Sequence, residues 1–247
     1  MKTISREIIP KNFRYKTTLY NKRHGCSEEK DANYTFLSTR IDQAKYKFYK
    51  SYKLKPEDTV CLNTCNVGID YIAMVLAIAE LGLVLTNDYN NCKLHIHNNL
   101  IYEDLPNSVF HEEFAKINIK NIDLYNTISS RRAKPDKLFY KHYTHADAVK
   151  HIKSYAKQYN GKILHIGYAN HLNALLKYFL PSLASGNVFM HYGLGYDDIR
   201  EFGGKFNFVF DSEQIETANC DRGSAAQLHK ILQRSTFPAR DYKLIEF

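Results

Sequence analysis

The sequence predicts an α/β fold of layered, mostly parallel sheets flanked by helices. Two observations carry that prediction. Strand-like and helix-like segments alternate from residue 36 to the end of the chain. Strand–helix–strand runs recur with a breaker after each helix: Gly82 in the first run, Gly161 and Gly186 in the second. The chain is 247 residues long, 44% hydrophobic and 24% charged, a composition that excludes wholesale disorder and is long enough for a real core.

Residues 1–32 are polar and irregular and read as an N-terminal arm. The α/β domain then covers 33–247, with a subdivision near 125–137. Helical spacing runs from about Asn33 to Tyr52, marked by Phe36, Ile41, Ala44, Tyr46, Phe48 and Tyr49. Lys55-Pro56-Glu57-Asp58 is a turn and Thr59–Asn63 a short buried strand. Asp70–Leu81 is a helix that is apolar on most sides. Gly82 ends it, and Leu83–Thr86 is the next strand, parallel to the last.

Lys93–His97 and Leu100–Glu103 pattern as a small hairpin about Asn98-Asn99. Ile117–Tyr125 holds another strand, and Ser129–Lys137 is a basic loop. Leu138–His142 is a strand, and Thr144 N-caps a helix running to Tyr159. Lys162–Ile166 is a strand, Leu172–Ala184 an amphipathic helix and Val188–His191 a strand. A short helix at Asp197–Phe202, a strand at Phe206–Phe210, a helix from Ser224 to Gln233 and a strand at Tyr242–Phe247 complete the pattern.

Lys and Arg number 34 against 26 Asp and Glu, a net charge of +8 spread along the chain. That charge permits contact with an anion but names no partner. No nucleic-acid module or basic helix stands out, so nucleic acid is expected only as a non-specific contact. Five cysteines without framework spacing point to a reducing compartment. The N-terminus is charged, unlike a secretory signal. Tyr71–Val84, the most apolar stretch, falls short of the ~20 residues of a membrane span, so no membrane partner is expected. Tyr, Lys, Asn and Ile are frequent and Trp is absent, which reads as AT-biased coding.

Three constellations are chemically suggestive. Cys92, His95 and His97 form C-x2-H-x-H, with both histidines on one side of a strand. A fourth ligand is missing, so a polar strand edge is expected instead of a metal site. Cys61 and Cys65 lack the C-x-x-C spacing of a redox pair and read as buried thiols. Ser129-Ser130-Arg131-Arg132-Ala133-Lys134-Pro135 has hydroxyls and cations for phosphate, but no glycine to let backbone N–H groups converge. No Ser-His-Asp, HExxH or GxGxxG pattern is present.

Leu54-Lys55-Pro56-Glu57-Asp58-Thr59-Val60 leads into the first strand, followed by Asn66–Thr86 with Ala73, Leu76, Ala77, Leu81, Gly82 and Leu85. The basic loop and Asp136 precede Thr144-His145 at a helix start. Gly161–Ile166, Ala169-Asn170-His171 and Leu180–Gly186 follow. In this order, over residues 33–247, these segments resemble the N-terminal subdomains of the adenylate-forming superfamily: acyl-CoA synthetases, acyl-AMP ligases, luciferases and peptide-synthetase adenylation domains. The basic loop is similar to that family's phosphate loop, S-G-[ST]-[ST]-G-x-P-K. The resemblance implies a vestigial nucleotide or acyl site at Ser129, Ser130, Arg131, Arg132, Lys134, Thr144 and His171.

The departures point away from catalysis. Both loop glycines are replaced, by Ser130 and Ala133, and the lysine after proline is Asp136. The chain reads as stopping at Phe247, ahead of the family's adenine, ribose and magnesium motifs and its C-terminal lid. The expected function is a non-catalytic structural or assembly protein without a cofactor. It would join the protein subunits of a larger assembly, in the cytoplasm or as a phage virion component of tail, baseplate or neck. The alternative is an ATP- or AMP-binding acyl-adenylate or acyl-CoA ligase using ATP and magnesium, or its remnant needing a partner chain.

Overall fold

The computed structural model describes residues 7–9, 14–21, 26–63, 69–98, 102–103, 105, 107–115, 133–166, 174–185, 188–192, 215–220, 225–226, 228–230 and 243–246. In chain order the elements are β1 (Arg14–Asn21), β2 (Cys26–Asn33), α1 (Tyr34–Tyr46), β3 (Thr59–Asn63), α2 (Ile69–Leu81), β4 (Val84–Thr86), β5 (Leu94–His97) and β6 (Ser108–Phe110). Then come α3 (His111–Ala115), β7 (Leu138–Tyr140), β8 (Tyr143–Thr144), α4 (His145–Ala156) and β9 (Lys162–Ile166). A π-helical stretch at Ala174–Phe179 leads into α5 (Leu180–Ala184), followed by β10 (Val188–Tyr192), β11 (Ile215–Cys220) and β12 (Lys243–Glu246).

The chain forms two compact units, Met1–Pro10 with Tyr34–His151 and Lys11–Asn33 with Ile152–Phe247. Each holds one six-stranded sheet, in the orders β6-β5-β3-β4-β7-β8 and β12-β11-β9-β10-β1-β2. The pairs β7–β8 and β1–β2 are antiparallel and all others parallel, so the layered, mostly parallel fold stands.

In the first unit β3 is central. Its Val60 and Leu62 and the Leu94 and Ile96 of β5 are buried, as is nearly all of α2. Helix α2 ends where expected. Gly82 has φ +69°, Leu83 N–H donates to Ile78 O at 3.0 Å, and Gly82 N–H donates to Ala79 O at 3.4 Å. This is a Schellman stop, in which glycine adopts the left-handed conformation cheaply. Helix α1 covers the expected span in two parts, because residues 47–51 widen into a π-turn with Tyr52 N–H on Lys47 O at 3.0 Å.

Two expectations are corrected, and one strand stands where none was expected. Residues 14–21 and 26–32, read as part of an arm, form β1 and, with Asn33, β2. Their polar sequence hides strands whose pairing comes from elsewhere, since Arg14–Thr17 lie parallel to Val188–His191. The hairpin about Asn98-Asn99 does not form. Strand β5 has β3 on one side and β6 on the other, both parallel, and Tyr102 and Glu103 lie in a turn. Strand β11 went unread because Ile-Glu-Thr-Ala-Asn-Cys has little apolar alternation. The strands expected at Ile117–Tyr125 and Phe206–Phe210 and the helix at Asp197–Phe202 lie outside the described residues.

One buried charge joins the helices. Lys45, 4% exposed, sits 2.8 Å from Glu80 on α2 and 2.6 Å from Asp42. Burial pulls its pKa down, but Glu80 and Asp42 outweigh that and hold it above the ordinary lysine value. Removing one partner of such a pair strands the other in low dielectric. Lys45→Ala is therefore expected to cost about 3 kcal/mol in urea unfolding. Replacing Lys45 and Glu80 together by Met should restore much of that loss, and a loss as large in the double variant would show that packing, not charge, matters there.

Candidate functional site

The end of the basic loop meets two other segments at the amino ends of β3, β4 and β7. The turn before β3 closes with Asp58 N–H on Lys55 O at 3.0 Å, and Asp58 Oδ2 accepts from Lys55 N–H at 2.8 Å. Pro56 and Glu57 are its central residues, and Glu57 has φ +75°. Such a turn asks for glycine at that position. The turn is laced to the end of α2 by Glu57 N–H to Gly82 O at 2.8 Å and Val84 N–H to Asp58 O at 2.9 Å.

Residues 133–137 pack onto this lacing. A Cβ on Gly82 would stand 3.6 Å from Ala133 Cα and 3.7 Å from Pro56 Cβ. Lys137 Nζ lies 2.6 Å from Glu57 Oε1, both side chains being partly exposed. That carboxylate raises the Lys137 pKa. Pro56, Glu57, Leu81, Gly82, Ala133, Lys134 and Lys137 line a cavity of about 460 Å³. In open α/β sheets ligands favour the carboxyl ends of the strands; this cavity lies at the amino ends.

Of the residues expected at a nucleotide site, Ser129, Ser130, Arg131, Arg132 and His171 lie outside the described residues. Lys134 is exposed and borders the cavity. Thr144 serves α4 as its N-cap. Its Oγ1 accepts from Asp147 N–H at 3.2 Å and donates to Asp147 Oδ2 at 2.7 Å, and Thr144 N–H reaches the same carboxylate at 3.4 Å. This capping box leaves the hydroxyl engaged with its own helix. Further backbone bonds tie the loop to α4: His145 N–H to Lys137 O at 2.9 Å and Ala146 N–H to Pro135 O at 3.0 Å. Next to the cap, His145 is buried beside the Phe139 ring, and neither of its ring nitrogens has a hydrogen-bond partner. Burial lowers its pKa to about 4.

A second cluster lies on one face of the same sheet. The β3–β5–β6 register sets Cys61, His95 and Ser108 side by side, with Asn63, His97 and Phe110 two residues on. His95 Nδ1 is 3.2 Å from Ser108 Oγ, while His95 Nε2 is buried without a partner. Tyr89 stacks on His95 at 5.9 Å, and Tyr102 meets both histidines edge-on at 5.0 and 5.8 Å. His95 is lowered to about 4 by burial, then by His97. The expected polar strand edge is thus corrected: β5 is an interior strand and both histidines are buried. Among the described residues no group of three or more His, Cys, Asp or Glu is placed to hold a metal ion.

Cys61 is buried, and Cys65 lies outside the described residues. The thiol that acts on Cys61 is Cys92. Only the strand order could have revealed that contact. The Glu57–Lys137 bridge was equally hidden, although the positive φ at Glu57 follows from the turn type.

No protein-family model matches the sequence, and no curated protein matches it. Solved structures do match in fold. Unliganded o-succinylbenzoate coenzyme A synthetase from Bacillus subtilis is 10% identical with a TM-score of 0.68, over 94% of this chain and 53% of that one. The N-terminal domain of FACL13 from Mycobacterium tuberculosis is 12% identical with a TM-score of 0.66, over 98% of this chain and 68% of that one. The adenylation domain of a keto acid-selecting NRPS module, bound to keto acyl adenylate, is 12% identical with a TM-score of 0.66, over 93% and 49%. The chain spans about half the length of the first structures it matches, 45% and 49%. It has the fold of the N-terminal domains of adenylate-forming enzymes.

Two outcomes follow from this geometry. Glu57→Gly removes the left-handed strain of a residue bearing Cβ, worth about 1 kcal/mol. The variant is expected to unfold at higher denaturant even though it deletes the partner of Lys137; a lower midpoint would show that the bridge outweighs the strain. His95 and His145 bind protons more weakly folded, at about 4, than unfolded, at about 6.5. Their contribution is complete above pH 6.5 and is lost as pH falls towards 4, at about 1.4 kcal/mol per pH unit for each histidine. Stability curves against pH should show that slope, and His145→Leu should flatten it.

Proposed function

We propose that this chain is a non-catalytic protein that uses the N-terminal adenylate-forming fold as a scaffold within an assembly of protein subunits. The observation that carries the reading is how residues 133–137 are engaged. Lys137 is paired with Glu57, and the carbonyls of Pro135 and Lys137 accept from the first turn of α4. Thr144 caps that same helix. The residue after Pro135 is an exposed acid, Asp136, which repels phosphate. These groups brace three segments at the amino ends of the strands. Catalysis of phosphate chemistry needs donors preorganised towards the developing charge, and none of these groups is so aimed. The structures compared above include a synthetase and an adenylation domain by description and no virion protein, so the virion setting has no support from them.

A second reading has one observation in its favour. The cavity of about 460 Å³ beside Lys134 and Lys137 offers room and positive charge for an anion. Under that reading the chain binds ATP or AMP, with the loop 129–134 as its remnant site. Thermal melts with ATP and with AMP, each with and without magnesium, separate the two. A ligand at 100 times its Kd adds ~2.7 kcal/mol, or roughly 5–10 °C in a domain of this size. The scaffold reading expects no shift in any arm and no carboxylate-dependent exchange of pyrophosphate into ATP. A shift that disappears in Arg131→Ala/Arg132→Ala or in Lys134→Ala would overturn it.

A further inference from the structure

The order β5-β3-β4 makes the chain cross its own central strand. Strands β4 and β5 flank β3, both parallel to it, so the link 87–93 must pass over one face of β3. The link is pinned there. Lys93 N–H donates to Thr59 O at 2.9 Å, and Thr59 Oγ1 donates to Asn91 O at 3.4 Å. Asp88 organises the start of the link, with Asn90 N–H on Oδ1 at 3.1 Å and Asn91 Nδ2 on Oδ2 at 2.9 Å.

Cys92 sits between the two residues held by Thr59, with its Sγ donating to Tyr89 O at 3.3 Å. Beneath it, two residues along β3 from Thr59, is Cys61. The two thiols are close enough to act on each other, each shifting the other's proton affinity. Cys61 is buried, 2% exposed, while Cys92 is half-exposed at the surface of the link. The two cysteines are therefore unequal: one reaches solvent, the other waits behind it.

We propose that Cys92 and Cys61 form an oxidation-responsive dithiol, with Cys92 the thiol attacked by a hydroperoxide and Cys61 the one that resolves it. In the first step the Cys92 thiolate attacks the peroxide oxygen. The O–O bond breaks, Cys92 becomes a sulfenic acid, and the peroxide leaves as alcohol or water after taking up a proton. In the second step Cys61 sulfur attacks Cys92 sulfur, the S–O bond breaks, and hydroxide leaves with the Cys61 proton as water. Two thiols lose two electrons in total, and the hydroperoxide receives them. The Cys61 side chain holds the Cys92 thiol below its ordinary pKa, while Cys92 and burial push Cys61 above its own, which matches the assigned order. The product staples the crossing link to the central strand.

The test uses the whole reduced chain, a few equivalents of hydrogen peroxide, N-ethylmaleimide to block remaining thiols, and mass spectrometry. The expected product is lighter by two hydrogens, yields a linked peptide pair containing Cys61 and Cys92, and reverts with dithiothreitol. In Cys61→Ser, Cys92 should remain a sulfenic acid that dimedone traps. In Cys92→Ser, Cys61 should stay reduced over the same period. Recovery of Cys61 and Cys92 as alkylated thiols after Cys26, Cys65 or Cys220 has oxidised would overturn the proposal, as would a linkage of Cys92 to any of those three. The wild-type result decides the matter even if a serine variant fails to fold.

Discussion

Helix α2 is buried over nearly its whole surface, Asp70 and Glu80 apart, and the first unit is arranged around that fact. Ile72, Val75, Leu76, Ala77 and Ile78 are fully buried although they point in different directions around the axis. Apolar burial supplies the driving force but no direction. Direction comes from the two charges the helix carries. Asp70 in its first turn meets Arg40 at 3.1 Å, and Glu80 in its last turn meets Lys45 at 2.8 Å. Both cations belong to α1, so pairing both acids fixes where α1 lies along α2. For the buried Glu80 the partner is needed, because a carboxylate buried alone costs more than the pair returns.

The end of α2 then determines what sits at the amino ends of the strands. The stop at Gly82 aims the chain into β4 beside β3, and the Gly82 carbonyl, freed from the helix, receives Glu57 N–H. That bond holds the turn before β3 close enough for Glu57 to reach Lys137 ahead of β7. Three strand entries are thereby tied together. The segment expected to cradle phosphate instead takes part in this tie, which leaves Lys134 as the basic side chain of 133–137 that borders the cavity without an acid partner among the described ion pairs.

Much of this was legible in the sequence where the signals are local. The 55–58 turn, the Gly82 stop, the Thr144 cap and the strands at Thr59–Asn63 and Lys162–Ile166 follow from residues within a few positions of each other. What was not legible depends on partners far along the chain. Strand β1 is polar and takes its place from pairing with β10, about 170 residues later. Strand β5 reads as half of a hairpin until β3 and β6 occupy both its sides. For the candidate site, Thr144 was found but its hydroxyl serves the helix, and Lys134 was found at the cavity's border. Glu57 was read only as a turn residue, because the tie to Lys137 exists only once β3 and β7 stand in one sheet.

The same topology explains the chemistry of the second cluster. A link that crosses β3 covers much of what that strand and β5 present on that face, and the buried residues there are Cys61, His95 and His97, with Asn63 half-buried. Carboxylates or lysines in those places would bring unpaired charge into a dry layer. Thiol, amide and imidazole can all be neutral near pH 7, so they tolerate burial without counter-ions. The crossing link compensates in part: Tyr89 covers the His95 ring, and its carbonyl accepts from Cys92. The Nε2 of His95 is left without a partner, and burial, then His97, lowers the ring's proton affinity. This side of the sheet thus carries its half-exposed thiol on the link and its resolving thiol beneath. A cover of this kind makes one sulfur accessible while keeping the other dry, a consequence of strand order that spacing along the chain does not reveal.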